Sequence, residues 1–148
     1  MTFEDYKQFI EENYGECDVL QASCDHEKKN CGGTSNRFAP KSISWIDYWR
    51  AMTGNHGTIM TCSSCGKELF VGEPTEEQKK KFTKGDDTIE KHRAQGGHVW
   101  VNAPSDKGYS GGRYITPLCP ECNGKHDQHI PIRKDAIYCK ELGASIID

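Results

Sequence analysis

The sequence has few apolar residues and no long apolar run. Hydrophobic side chains make up 34% of its 148 residues, and the mean hydropathy is −0.79. About 45–50% is usual for a globular chain on a count that also includes glycine. A large hydrophobic core is therefore excluded, and the fold needs a further source of stability. No stretch approaches the ~18–20 apolar residues of a membrane span, so we expect no membrane partner.

The sequence also lacks a strong excess of either charge. It has 19 Lys and Arg residues against 22 Asp and Glu residues, a net charge of −3. The chain therefore lacks the net positive charge of a protein that binds nucleic acid strongly and without sequence specificity. A local basic face is still compatible with this composition. The first 15 residues have neither the basic nor the apolar region of a signal peptide. We therefore expect an intracellular, reducing compartment, either the cytoplasm or the nucleus.

Cysteine, in contrast, is abundant, with eight residues. In a reducing compartment, clustered cysteines are typical of metal ligands, whereas four disulfides would be the alternative in a secreted chain. Two CxxC motifs, Cys62 with Cys65 and Cys119 with Cys122, form the strongest pattern. Because Zn²⁺ prefers four tetrahedral ligands and binds thiolates well, they predict one structural zinc site that compensates for the small core. Rubredoxin-type iron and a redox-active CxxC remain as alternatives.

A second group of candidate ligands lies in the segment 16–41, whose few apolar side chains predict a long loop. Cys17, Cys24, His26 and Cys31 fall within 15 residues, but their spacing matches no common zinc finger. They predict a second zinc site, and the alternative is a set of free thiols on a loop. Cys139 could replace one of these ligands or be a buried free cysteine.

The periodicity and capping residues predict an α+β protein. Helical signals cover five segments: 2–14, 44–53, 74–94, 119–129 and 133–142. Strand signals cover the hairpin 57–71 around the first CxxC motif and the strands 97–101 and 113–118. The expected fold is a small, zinc-stabilised treble clef (ββα type) over 59–148, with an N-terminal helical extension over 1–58.

The order of these motifs resembles the HNH endonuclease family. GGHVWV, a loop, YITPLCPECN and then His126 follow the family's order: a strand with the catalytic histidine, a loop, two zinc cysteines and a metal-binding histidine. The resemblance covers residues 59–130 and implies that the four CxxC cysteines are structural zinc ligands. It also implies that His98 is the general base and that His126 binds a catalytic divalent cation such as Mg²⁺ or Mn²⁺.

Two positions depart from the family pattern. Gly97 stands where the family usually has a metal-binding Asp, Glu or His, and Tyr114 stands where an Asn is expected to orient the catalytic histidine. The incomplete motif favours a degenerate module that binds nucleic acid. One alternative is an active metal-dependent phosphodiester hydrolase, an HNH-type nuclease that uses His98 and His126. The other is a zinc-scaffolded module that binds a protein partner through its N-terminal helices; the sequence leaves the oligomeric state open.

Overall fold

The computed structural model describes residues 1–22, 24, 26–30, 37–100, 113–125, 128–143 and 145–146. Its α-helices are α1 (Phe3–Tyr14), α2 (Trp45–Thr53), α3 (Glu76–Phe82) and α4 (Pro120–Asn123), with short 3-10 turns at Pro40–Ser42 and Ile89–His92. Its strands are β1 (Val19–Gln21), β2 (His26–Asn30), β3 (Arg37–Phe38), β4 (Ile59–Thr61), β5 (Glu68–Phe70), β6 (Gln95–Trp100), β7 (Arg113–Leu118), β8 (His129–Ile132), β9 (Ile137–Lys140) and β10 (Ser145–Ile146). The chain is thus a mixed α+β protein. None of the helices in these ranges is long and apolar enough to cross a membrane.

The first two helices confirm the predictions made from their capping residues. At the start of α1, the backbone N–H of Asp5 donates to Thr2 Oγ1, and the carboxylate of Asp5 accepts from the backbone N–H of Thr2. Ser44 Oγ accepts from the backbone N–H of Asp47 at the start of α2. Each bond satisfies a backbone donor that the helix itself leaves without a partner. Gly54 ends α2 in the left-handed conformation, with φ of 77°.

Helix α2 forms the centre of the core. It buries six side chains: Trp45, Ile46, Tyr48, Trp49, Ala51 and Met52. The indole N–H of Trp49 donates to the Ile137 carbonyl oxygen at 2.9 Å, which joins α2 to β9. The start of α2 also lies against β6 at Gly96, where a Cβ atom would come within 2.5 Å of the Trp45 carbonyl carbon. This close approach lets a small number of apolar residues exclude water.

The main sheet is antiparallel and has the order β1-β9-β7-β6-β2-β8. Strands β1 and β2 follow each other in the chain, and so do β8 and β9. The pairing of β1 with β9 extends past Gln21 and Ile137. The backbone N–H of Ala22 donates to the Ala136 carbonyl, and the Ala22 carbonyl accepts from the backbone N–H of Asp135. Apolar side chains are buried on both faces of this sheet: Val99 lies on one face and Ile115 on the other.

Three secondary-structure predictions from the sequence are wrong, and a fourth holds only in part, because the predicted helix 74–94 is two short segments, Glu76–Phe82 and Ile89–His92. The predicted loop 16–41 contains β1, β2 and β3, and the predicted helix 133–142 contains β9. The helix predicted over 119–129 ends at Asn123, and β8 begins at His129. The secondary structure of these segments depends on pairing with strands far away in the sequence, as Val19 pairs with Cys139. Local propensity carries no information about such pairing. Strands from 1–58 and from 59–148 share the main sheet.

Candidate metal centre

The first CxxC motif lies in the turn between β4 and β5, as predicted. The backbone N–H of Cys62 donates to the Lys67 carbonyl at 2.8 Å, and the N–H of Gly66 donates to the Cys62 carbonyl at 3.0 Å. Gly66 has φ of 83°, a left-handed conformation that favours glycine. The turn therefore reverses within a few residues, which brings the sulfur atoms of Cys62 and Cys65 to one side.

The second CxxC motif spans the end of β7 and the start of α4. Cys119 is the N-cap residue of α4, and its sulfur accepts from the backbone N–H of Cys122 at 3.4 Å. The Cys119 carbonyl accepts from the backbone N–H of Asn123 at 2.9 Å. Pro120 occupies the first helical position, where a missing N–H costs nothing. One helical turn thus points both sulfur atoms in the same direction.

Hydrogen bonds hold the two motifs against each other. The backbone N–H of Ser63 donates to the Pro117 carbonyl at 2.9 Å, and the Ser63 and Thr116 hydroxyls hydrogen-bond at 2.6 Å. The backbone N–H of Cys119 donates to the sulfur of Cys62 at 3.4 Å. N–H groups that donate to cysteine sulfurs stabilise the thiolate form, which is the form that binds metal.

The four sulfur atoms lie within 4.8 Å of one another and can hold a metal ion. The Cys65 and Cys119 sulfurs are 3.8 Å apart, close to the ~3.8 Å edge of a tetrahedron with Zn–S bonds of about 2.3 Å. Three of the cysteines are buried and Cys65 is exposed. Burial first, and then the charge of nearby Cys62, raises the pKa of the Cys122 thiol. A divalent cation would offset the mutual repulsion of four thiolates, so the donor set fits a zinc ion.

His98, the predicted general base, is enclosed on the face of the sheet that α2 covers. It is 3% exposed, and its ring meets the Trp45 ring edge-on with 5.0 Å between centroids. Its Nε2 lies 3.5 Å from a carboxylate oxygen of Glu141, and Arg113 contacts the same carboxylate through Nε at 3.1 Å. Sequence reasoning missed Glu141, because it lies 43 positions beyond His98 in the sequence and carries no motif.

Gly97 and Tyr114, the two positions that depart from the HNH pattern, have different surroundings in the structure. A Cβ atom at Gly97 would come within 2.3 Å of Leu118 Cδ1, so a side chain at this position requires the buried Leu118 side chain to move. Tyr114 pairs with Val99, whereas His98 pairs with Ile115. Because neighbouring residues of a strand point to opposite faces, Tyr114 lies on the face opposite His98.

The remaining candidate ligands stay predictions. His126 and Cys31 lie outside the described residues, and so does the side chain of His26. Cys24 is exposed, and Cys17 is half-buried. Within the part of the chain that the structure describes, the CxxC cysteines are the one group of three or more side chains positioned to hold a metal.

Comparison of the chain with protein-family models, with curated proteins and with solved structures finds no match.

Proposed function

We propose that this chain is a zinc-scaffolded treble-clef module, similar to HNH domains, that binds nucleic acid without cleaving it. The observation that carries the proposal is the four-cysteine cluster, which joins the β4–β5 hairpin to the end of β7 and the start of α4. A hairpin and a helix that share one zinc ion are the two parts of a treble clef.

A cleft beside the metal centre supports nucleic acid as the ligand. It has a volume of about 350 Å³, and Cys62, Ser63, Trp49, Arg133 and Lys134 are among its lining residues. Arg133 and Lys134 are exposed, and the guanidinium of Arg133 lies against Gly66 of the zinc turn. Phosphate contacts from Lys and Arg supply most of the affinity in sequence-independent binding. Arg133 and Lys134 outnumber Asp135, the acidic residue of this cleft, so they can bind phosphate despite the net negative charge of the chain.

The burial of His98 supports binding without cleavage. A general base must come within hydrogen-bond reach of the water that it deprotonates. The imidazole of His98 is covered by Trp45 and lies next to Glu141, and both arrangements suit a structural role. The resemblance to HNH domains then concerns the zinc scaffold and not the reaction.

Binding is tested by fluorescence anisotropy of the zinc-loaded protein with labelled DNA and RNA oligonucleotides over a range of salt concentrations. We expect affinity to fall with salt, and the Arg133→Glu, Lys134→Glu double variant to bind at least about tenfold more weakly. Lys79→Glu is the control, because Lys79 is exposed on α3 and pairs with Glu76 away from the cleft. Equal binding by the double variant and the wild type, at equal zinc content, would contradict the proposed interface.

Cleavage is tested separately with plasmid DNA and RNA in Mg²⁺ or Mn²⁺. We expect no cleavage by the wild-type protein. Cleavage that is lost in His98→Gln, while zinc content and melting temperature are kept, would establish the nuclease alternative instead.

A second cleft favours protein binding as the other candidate function. It has a volume of about 460 Å³ beside α1 and α2, and its apolar lining includes Met1, Phe3, Tyr6 and Ile43. Lys41, Arg50 and Asp47 also line it, and Arg50 pairs with Asp47 at 2.8 Å. Lys41 is thus the cation that suits an acidic residue of an amphipathic segment. Binding of such a peptide that is lost in Ile43→Asp but kept in the Arg133→Glu, Lys134→Glu variant would support this function.

A further inference from the structure

A second pair of cysteines lies away from the metal centre, on the face of the sheet that α2 covers. Cys139 in β9 is opposite Val19 in β1, and Cys17 precedes Val19 by two residues. Residues two apart point to the same face of a strand. The backbone N–H of Lys140 donates to the Asp18 carbonyl at 2.9 Å, so the pairing continues to the position beside Cys17.

The two thiols are neighbours on this face of the sheet, since the Cys17 sulfur reaches the backbone of Lys140, the residue after Cys139. The Cys139 side chain lowers the pKa of the Cys17 thiol, and burial, followed by the Cys17 side chain, raises the pKa of the Cys139 thiol, so the two thiols are close enough to interact. Both residues are free cysteines. The Cys17 sulfur also donates to the Lys140 carbonyl at 3.3 Å. We propose that Cys17 and Cys139 are a redox site that forms a reversible disulfide, independent of the four-cysteine centre and of the proposed function.

Tyr48 holds this site in place from α2. Its hydroxyl donates to the Lys140 carbonyl at 2.6 Å, accepts from the backbone N–H of Leu142 at 3.1 Å, and lies 3.7 Å from the Cys17 sulfur. The end of β9 and the thiol of Cys17 are therefore both fixed relative to one hydroxyl. A positioned pair of thiols loses little conformational freedom when it closes to a disulfide.

Access to the pair differs between its two members. Cys139 is completely buried, whereas Cys17 is half-buried and lies between α1 and β1, outside any helix or strand. An oxidant therefore reaches Cys17 first, and Cys139 resolves the intermediate. The position of Cys17 outside the strand lets its sulfur move the remaining distance to a disulfide bond of about 2.05 Å.

Glutathione disulfide is a suitable oxidant in a reducing compartment. The Cys17 thiolate attacks one sulfur of glutathione disulfide, breaks its S–S bond and releases one glutathione thiolate, which takes up the proton that Cys17 lost. The Cys139 thiol then loses its proton, and its sulfur attacks the Cys17 sulfur of the mixed disulfide. The second glutathione leaves and takes up that proton. Two protein thiols are oxidised by two electrons, and glutathione disulfide is reduced to two glutathione molecules.

The proposal also bears on the predicted second zinc site. A Cys17 sulfur that is bonded to Cys139 has no thiolate to offer a metal ion. Oxidation of this pair and zinc binding by Cys17 are therefore mutually exclusive in one molecule. Zinc stoichiometry can separate them.

The test equilibrates the zinc-loaded, full-length protein in glutathione buffers of increasing disulfide content. Samples are quenched with acid, alkylated, digested and analysed by mass spectrometry. We expect a Cys17–Cys139 linked peptide that increases with glutathione disulfide and disappears with dithiothreitol, while the zinc content stays constant. Cys17→Ser, a substitution at a half-buried residue, should abolish the linked peptide. Cys24→Ser, at an exposed cysteine, is the control, and we expect it to leave the amount of linked peptide unchanged.

Three results would overturn the proposal. One is the absence of a Cys17–Cys139 linkage at every ratio, with or without a mixed disulfide at Cys17. Another is linkage of Cys17 to a different cysteine. The third is a second equivalent of zinc that is lost in Cys17→Ser, which would assign Cys17 to a metal site instead.

Discussion

The sulfur atoms of Cys65 and Cys119 lie 3.8 Å apart, although the residues are separated by 54 positions in the sequence. The contact between Ser63 and Pro117 brings the turn of the β4–β5 hairpin onto the end of β7. Hydrogen bonds within the chain therefore already position the four thiols. A metal ion would strengthen an arrangement that the backbone sets up.

Loss of one metal ligand should lower stability strongly. Cys122→Ser replaces a buried thiol with a much weaker zinc ligand, so we expect loss of bound zinc and a large fall in melting temperature. Zinc content is measured by atomic emission and stability by thermal unfolding. Cys24→Ser, at an exposed cysteine outside the four-cysteine centre, is the comparison and should keep the zinc ion of that centre. An unchanged melting temperature in zinc-free wild-type protein would show that the cluster contributes nothing to the fold.

A methyl group at Gly96 should disrupt the packing of α2 on β6. The added Cβ would come within 2.5 Å of the Trp45 backbone, which cannot move away as a flexible side chain would. We expect Gly96→Ala to lower the free energy of unfolding by about 1–3 kcal/mol, the usual cost of overpacking a core. Gly57→Ala is the control, because nothing lies within 4 Å of a Cβ at that position. Equal denaturation midpoints for the two variants would contradict this account of Gly96.

Asp87 should make stability depend on pH. Its carboxylate accepts from His92 Nε2 at 2.7 Å, and this hydrogen bond lowers the pKa of Asp87 in the folded protein. Since the folded pKa is depressed, the contribution is present above the unfolded pKa of about 3.9 and is lost as the pH falls through the folded value.

The variant Asp87→Asn tests this dependence by thermal unfolding between pH 7 and pH 2. We expect it to melt below the wild type at neutral pH and the difference to vanish at the acidic end. Glu76→Gln, which affects an exposed pair with Lys79, should show no comparable change. A difference that stays constant over the whole range would rule out the carboxylate as its source.

The carboxylate of Glu141 should stabilise the fold through Arg113. Glu141 is 5% exposed and Arg113 is 24% exposed, and the guanidinium contacts both carboxylate oxygens at 3.1 Å. Removing one partner leaves the other charge partly buried, so we expect Glu141→Gln to cost about 3 kcal/mol, the lower end for buried pairs. Chemical denaturation measures the loss. Glu90→Gln, at the exposed pair with Arg93, is the control and should leave the denaturation midpoint unchanged. Equal losses of stability in the two variants would contradict the claim that burial makes the Glu141 pair the stronger one.

Local signals predicted the helices well where a capping residue and an amphipathic pattern coincide. Thr2 and Ser44 begin helices through hydrogen bonds that involve residues three positions away, and such contacts are visible in sequence. The segment 133–142 has apolar spacing that also suits a helix, but β9 pairs there with β1 and β7. Propensity is a weak guide where non-local pairing satisfies the backbone.

The sequence by itself determined the capped helices, the hairpin turn at Gly66 and the four candidate zinc ligands, because caps, tight turns and two-residue ligand gaps are local. Only the tertiary structure decided that Val19–Gln21 and His26–Asn30 join the main sheet, that Glu141 lies beside His98, and that Cys17 lies near Cys139. These relationships join residues more than 40 positions apart. Their free energy comes from burial and hydrogen bonds between strands, and no local pattern encodes which strands meet.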